Sequence, residues 1–412
     1  MKILFINKFL YPKGGAELVF LETASLVEKH DHDVVFFSMR HSQNISSQYE
    51  KYFVTNIDFE NHSIKNIIKT TCRIFYSFEA RTKIEELIQK ENPDIAHLHN
   101  VYHQISPSII HSLRKYKIPI VMTLHDYKVI CASYSMLAGK EVCEACKNGR
   151  YYKCLIKKCV KDSRAKSFLN TIEMYLHHSL LNIYNLVDIF ISPSEFLKNK
   201  VQEMGFRGEI VYLPNFVETK DFKPKHGWDG KYVVYLGRLS KEKGVSTLIA
   251  AMKSIPEVNL KIIGAGPLKD HLISTVQSQG ISNVEFAGYK TGDGLKNIVR
   301  DSMFVVIPSE WYENNPRSVI EAFALGKPVI GAGIGGIPEL VRDGETGYIY
   351  AAKDVKDLSG KIKYLFDNPE LIKKMGQNAR CFVEEKLNAE KHYEGLMDVY
   401  RNAIEKNKKT YA

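Results

Sequence analysis

Glu313 and Glu321 stand eight positions apart, with a loop between them that breaks at Pro316. Proline is favoured at the first position of a helix, where its missing N–H would be an orphan donor anyway. The spacing therefore predicts a helix from Pro316 to about Leu325, with Gly326 as its C-terminal cap and Pro328 just beyond. Glu313 then lies in the loop before the helix, beside Asn314 and Asn315, and Glu321 more than one turn inside it. The N–H groups of Arg317, Ser318 and Val319 point out of the helix start, a seat for phosphate. One carboxylate reaches hydroxyls beyond that phosphate and the other reaches hydroxyls behind it. Such an arrangement suits a sugar, a diphosphate and a ribose in a row. Either glutamate alone reads equally as a dipole contact or a solvated helix face. The neighbours favour the ligand: Val329-Ile330 is a short apolar strand, and Gly331, Gly333, Gly335 and Gly336 let a backbone approach closely.

At these residues a resemblance becomes specific. E-x7-E, then G-K-P-V-I-G, G-G-I-P-E-L and D-G-E-T-G, resembles the signature of the retaining glycosyltransferases of family four. The resemblance implies an α/β chain with the GT-B fold: two doubly wound, Rossmann-like domains facing a central cleft, with a C-terminal helix crossing back. It further implies transfer of a sugar from a nucleoside-diphosphate sugar to a hydroxyl, as in bacterial surface-polysaccharide or lipid-linked glycan synthesis. Glu313 is assigned to the sugar hydroxyls, Glu321 to the ribose, and Pro316, Arg317 and Ser318 to the diphosphate. Asn314 and Asn315 stand where the family commonly has Phe-Gly, a departure that bears on which sugar fits.

The elements that position these residues form two similar halves. Lys2–Ile6 is a continuous apolar run, as in a buried parallel strand. A loop with Pro12, Gly14 and Gly15, a helix over 16–28 and a strand over 33–38 follow, the opening of a doubly wound sheet. The pattern is not G-x-G-x-x-G, so a nicotinamide site is poorly supported. Strands over 93–99 and 118–124 come next, and the second delivers His125 and Asp126 at its C-terminal end, the edge where such sheets bind ligands. The resemblance places His125 on the transferred sugar, Asp126 beside it or the acceptor, and Gly15 near the diphosphate. His97, His99 and His103 read as satisfied polar groups near a cleft. Residues 60–90 interleave Ile64, Ile67, Ile68, Ile74, Phe75 and Phe78 with Lys65, Lys69, Arg73 and Arg81, a stripe that reads as core packing before it reads as a membrane-surface helix.

The second half opens with a strand over 231–236, then Gly237-Arg238, Lys243-Gly244 and a helix over 245–252. Arg238 and Lys243 match the family's cations for the donor diphosphate, and a guanidinium fork and an ammonium suit that charge. No metal is then required for catalysis. Gly264 and Gly266 follow a strand over 260–263, and Tyr289 follows one over 284–288; the resemblance puts the nucleobase near them. The predicted domains are 1–214, a linker at 215–228, 229–388, and a helix from Ala389 to about Ile404.

Cys131, Cys143, Cys146, Cys154 and Cys159 hold five of the seven cysteines. C-x2-C-x7-C-x4-C from Cys143 to Cys159 suits a tetrahedral structural zinc site, and equally four free thiols. Residues 140–166 carry nine Lys or Arg against three acidic residues, within an insertion predicted at 131–166. This basic segment is expected to dock an anionic acceptor or the membrane that carries it. Two rival readings stand beside the transferase. One is a sugar phosphorylase or sugar-phosphate synthase on the same fold. The other is a nucleic-acid-binding module in the cysteine segment, which would need interleaved aromatics on an independent domain; Tyr151 and Tyr152 are thin support, and no nucleic-acid partner is expected.

The bounds agree with a soluble enzyme. The chain has 412 residues, 44% hydrophobic and 25% charged, enough for two or three domains. No apolar run approaches the roughly 18 residues of a membrane span. The first residues read as a strand, not a secretory signal, so the expected location is cytoplasmic, peripheral at the inner membrane face. The net charge of +10 favours anionic partners.

Overall fold

Apolar runs of three to five residues alternate with amphipathic helices along the chain, and they become parallel strands, the central ones buried on both faces. The computed structural model describes residues 1–57, 64–139 and 141–411. They fall into two compact units: Met1–Gly139 with Cys143–Leu213 and Tyr393–Ala412, and Pro214–His392 with Lys140–Val142.

The first unit holds six parallel strands: β1 (Lys2–Ile6), β2 (Asp33–Phe37), β3 (Ile95–Leu98), β4 (Ile120–Thr123), β5 (Ile189–Ser192) and β6 (Ile210–Tyr212). Their order in the sheet is β2-β1-β3-β4-β5-β6. Ile3, Leu4, Phe5 and Ile6 are wholly buried, as a parallel strand covered by helices on both faces requires. The loop with Gly14 leads into the helix Gly15–Lys29, which has no side-chain cap; Glu17 in its first turn meets the helix dipole instead. The chain's last helix runs Ala389–Tyr411, about two turns beyond the predicted Ile404. Apolar Ala403 and the polar anchors beyond it continue the packing: Lys406 Nζ donates to Asp188 O at 2.7 Å and Tyr411 Oη to Arg114 O at 2.9 Å. Tyr400 is buried with its hydroxyl 2.7 Å from His97 Nδ1.

The second unit repeats the plan with β7 (Tyr232–Leu236), β8 (Asn259–Ile263), β9 (Val284–Gly288), β10 (Val305–Ile307), β11 (Val329–Ala332) and β12 (Gly347–Tyr350), ordered β9-β8-β7-β10-β11-β12. The chain builds outward from β7 in one direction, then returns to its other side with β10. That reversal leaves a crevice at the C-terminal ends of β7 and β10. The stretch predicted as a linker, 215–228, is packed rather than loose. Val217 and Phe222 enter this unit's core, and Val217 bridges Asn388.

The basic stripe at 60–90 is in part described. Ile64, Lys65, Ile67, Ile68 and Lys69 lie outside the residues whose side chains are described. Arg73 is buried, donating to Thr55 O and pairing with Glu79, and Arg81 pairs with Glu85. Ile74 is buried with them, whereas Phe78 is exposed.

Candidate active site

The second unit gathers its charged groups at the crevice between β7 and β10. Leaving β10, the chain runs through Ser309 and Trp311 to Glu313, whose side chain is only 7% exposed. Glu313 Oε1 accepts from Lys243 Nζ at 2.6 Å and from Ser309 Oγ at 2.6 Å. Burial pushes the carboxyl up, but the charge and hydrogen bond of Lys243, with that of Ser309, hold it below the usual carboxylate value. Glu313 is therefore an anion at neutral pH. Lys243 comes from the turn after β7 and also lies over the Trp311 ring, 5.2 Å from its centroid.

Glycine makes this approach possible. Gly244 sits at φ +66°, and a Cβ there would stand 1.8 Å from Pro308 O. Only glycine allows the Lys243 turn to lie against the end of β10. On the other side, Gly335 is at φ +64° and packs on the backbone of Glu313, while Gly336 N–H donates to Glu313 O at 2.7 Å. The loop bearing Glu313 is clamped from both flanks.

The helix after it spans Arg317–Ala324. Pro316 is its N-cap, in extended backbone at φ −68° and ψ 113°, and not its first residue as the sequence predicts. Val319 N–H donates to Pro316 O at 3.0 Å, so it is not one of the outward amides expected; Arg317 and Ser318 remain the residues of the helix start. Gly326 follows the helix at φ +74°, in the left-handed cap position. Glu321 points to the same turn as Arg317, whose Nη2 and Nε lie 3.1 and 3.3 Å from Glu321 Oε1. Asn315 is buried, its carbonyl held by Asn215 Nδ2 at 3.1 Å, and Asn314 is half-buried beside it.

Arg238 follows β7 with its side chain exposed, and Gly264 and Gly266 follow β8. Gly264 N–H donates to Gly288 O at 2.9 Å, so the three strand ends β7, β8 and β9 are drawn together. Tyr289, just past β9, is 69% exposed. All of the sequence-derived donor residues in this unit thus lie at one edge of one sheet.

Gly15, His125 and Asp126 belong to the other unit, at the C-terminal edge of its sheet. His125 Nε2 lies 2.8 Å from His99 Nδ1, with the rings stacked at 5.0 Å. Burial, with the positive charge of Lys8, pushes His125 down to about 3, so its imidazole is neutral at pH 7. Asp126 Oδ1 accepts from Lys128 N at 2.9 Å, and burial raises its carboxyl above the ordinary value. Beneath them, Lys128 Nζ donates to Glu173 Oε2 at 2.6 Å in a wholly buried pair, with His103 Nε2 3.1 Å from the same oxygen. His97 is satisfied by Tyr400 and Thr123, as a structural histidine should be.

With this geometry in place, comparison with known proteins is informative. Glycosyltransferase Family 4 matches residues 13–221, and Glycosyl transferases group 1 matches residues 216–382. The chain belongs to glycosyltransferase family 4. An uncharacterized glycosyltransferase of Methanocaldococcus jannaschii is 27% identical over 402 residues, covering 97% of this chain and 98% of its own. Sucrose-phosphate synthase from Thermosynechococcus elongatus superposes with a TM-score of 0.73 at 19% identity, over 97% of this chain and 98% of that one. The Anabaena protein HepE, solved with UDP and glucose, gives 0.69 at 16%, over 97% and 99%. These likenesses establish the GT-B fold for this glycosyltransferase.

Several residues of the transferase site left no mark in the sequence reading. In the second unit Ser309 and Trp311 frame Glu313 and Lys243; in the first, Lys8, Lys128 and Glu173 stand near His125 and Asp126, together with His99 and His103, which the sequence does mark as polar groups near a cleft. Ser309 had one available signal, its place directly after a buried strand at the switch point.

The cysteine segment is no independent module. Tyr151 is buried, Thr171 Oγ1 of the helix Arg164–Tyr175 meets Tyr151 O at 3.4 Å, and Asn170 Nδ2 donates to Ala132 O at 3.0 Å. A nucleic-acid-binding domain standing apart, the rival reading, has no counterpart here. Nor do Cys143, Cys146, Cys154 and Cys159 present the predicted zinc geometry. Among the described residues, no three His, Cys, Asp or Glu side chains are disposed to hold a metal ion.

Proposed function

We propose that this glycosyltransferase moves a sugar, with retention of anomeric configuration, from a nucleoside-diphosphate sugar to a hydroxyl of a glycan or lipid-linked acceptor. The observation that carries the reading is the Glu313–Lys243 pair, 2.6 Å apart at the switch-point crevice, one turn ahead of a helix start. Lys243 has two further N–H bonds to give, and Arg238 stands after the same strand. Together they meet the charge that develops on the departing diphosphate. Arg317 and Ser318 add the positive end of a helix dipole. The second oxygen of Glu313 is an anionic acceptor for hydroxyls of the transferred sugar, and that of Glu321 for the ribose. The neutral imidazole of His125 offers a hydrogen bond to the sugar without adding charge. Retention without a covalent glycosyl-enzyme suits these roles, with a diphosphate oxygen assisting the acceptor proton on the departing face.

A thermal-shift screen across nucleoside diphosphates and their sugars is the direct test. Binding of ligand at a hundred times its Kd adds roughly 2.7 kcal/mol, a clear rise in Tm for the right donor. NMR of the product made with that donor then reads the anomer. Absence of any shift, or an inverted product, overturns the reading.

The same proposal places the enzyme at an anionic membrane surface. On the helix Arg164–Tyr175, Phe168, Ile172 and Tyr175 share one exposed face, and Ile156 and Leu180 are exposed nearby in sequence at 64% and 77%. Lys153, Lys157, Lys158, Arg164 and Lys166 accompany them. Exposed apolar side chains with Lys and Arg close by in sequence suit a surface of anionic lipid, each cation contributing about 1 kcal/mol. Lys153→Glu/Lys157→Glu/Lys158→Glu is expected to abolish sedimentation with phosphatidylglycerol vesicles while leaving donor affinity unchanged. Unaltered sedimentation of the triple variant removes the membrane from the proposal. Among the described residues no helix is long and apolar enough to cross a membrane.

A further inference from the structure

The short helix Tyr152–Ile156 closes in a way that brings two thiols together. Its C-cap is Lys157, and Lys158 follows at φ +50°, in the left-handed region. Lys158 N–H donates to Leu155 O at 3.2 Å and Cys159 N–H to Cys154 O at 3.1 Å. This pair of bonds is a Schellman closure, in which the residue after the left-handed one lies against the residue three before the cap. Ordinarily that contact joins two apolar side chains. Here both are cysteines. Ser167 secures the arrangement from the following helix: its Oγ accepts Val160 N–H at 3.1 Å. Cys154 is 1% exposed and Cys159 is half-buried, so one sulfur is sheltered and the other reachable.

We propose that Cys154 and Cys159 are a redox-active dithiol that closes to an intramolecular disulfide when the protein meets a low-molecular-weight disulfide. The backbone hydrogen bond between the two residues keeps their Cα atoms within the span a disulfide takes, roughly 4.4–6.8 Å. The thiolate is the form that attacks disulfides, and Cys159 is the sulfur that a reagent can reach. The thiolate attacks one sulfur of the reagent, forming a mixed disulfide and releasing one thiolate. The second protein thiol then gives up its proton and attacks the protein sulfur of that mixed disulfide, releasing the other. Two protein thiols are oxidised by two electrons, and one reagent disulfide is reduced to two thiols that take up both protons. This inference is independent of the donor, the acceptor and the membrane surface.

The test uses the reduced full-length protein in graded glutathione and glutathione-disulfide mixtures, acid-quenched, alkylated and read by peptide mass spectrometry. The expected result is a Cys154–Cys159 bridge, loss of two of the seven titratable thiols, and recovery of both with dithiothreitol. Cys159→Ser, at a half-buried position that tolerates the change, is expected to lose the bridge; Cys72→Ser/Cys381→Ser, at exposed positions, is expected to keep it. Three results overturn the proposal. Both thiols remain alkylatable in the folded protein at the most oxidising ratio; glutathione stays attached at Cys159 without closure; or one tightly bound zinc must be removed before either thiol reacts.

Discussion

Glu313→Gln is expected to lower kcat by at least about a hundredfold while the affinity for a nucleoside diphosphate is kept or improved. Loss of one preorganised partner of a developing charge typically costs 10²–10³ in kcat, roughly 2.7–4 kcal/mol. The amide is nearly isosteric, and its oxygen still accepts from Lys243 and Ser309, which meet the same atom at 2.6 Å in the native chain. The loop, clamped by Gly335 and Gly336, keeps its course. What disappears is the negative charge. The sugar loses its anionic partner, which interacts more strongly as positive charge grows at the anomeric carbon. Lys243, no longer neutralised, attracts a diphosphate at least as strongly as before. The expected signature is therefore a split: kcat falls, and calorimetric Kd for nucleoside diphosphate stays level or drops. Turnover near the native rate would show that Glu313 does not serve the reacting sugar. A parallel fall in nucleotide affinity would place it on the diphosphate instead.

That the split can be foreseen owes much to the local nature of the motif. Glu313, Pro316 and Glu321 lie within one loop and one helix, so their spacing alone conveys their placement. Lys243 stands 70 residues away from Glu313, and only the β7–β10 adjacency of the sheet brings it to the carboxylate. Sequence resemblance supplied Lys243 as a diphosphate ligand; it carried no trace of the ion pair. Pro316 misled by one position because proline suits both an N-cap and a first helical turn, and its ψ decides between them. The cysteines misled for a related reason. C-x2-C-x7-C-x4-C fixes separations along the chain, whereas the contact that forms depends on Lys158 adopting a left-handed backbone, which a lysine seldom signals. Buried strands were legible throughout, since a run such as Ile3–Ile6 has no other stable placement. The polar group around Glu173 was not, because its members come from three separate segments, at 103, 128 and 173–177.

That group is where the largest loss of stability is expected. Lys128 and Glu173 are 1% and 0% exposed, 2.6 Å apart. Lys128→Met keeps the length of the side chain and removes the charge, leaving a buried carboxylate beside His103 and His177. Breaking a buried pair from one side costs about 3–5 kcal/mol, a large part of the roughly 5–15 kcal/mol that holds a domain. A fall in Tm on the order of 10 °C follows for a unit of this size. Lys128→Met/Glu173→Leu, which removes both charges, is expected to recover most of it. The pH dependence supplies a second check. In the native chain, burial pushes Glu173 up, but Lys128 and His103 outweigh it and hold the carboxyl well below its ordinary value. Its contribution is thus present above the unfolded carboxyl value of about 4.3 and is lost as pH falls through the lower folded value. Without Lys128, burial prevails and the folded value rises above the unfolded one. The variant is then favoured below about 4.3 and loses stability as pH climbs through the raised value. The gap in Tm between native and Lys128→Met proteins should be widest near pH 7–8 and narrow on acidification toward pH 4–5. A gap that is constant across this range would mean that Glu173 is not charged in the native fold. The bond that holds Asp126 comes from the backbone N–H of Lys128, which Lys128→Met leaves in place, so the kcat of this variant, read below its own unfolding transition, separates loss of stability from loss of the His125–Asp126 corner.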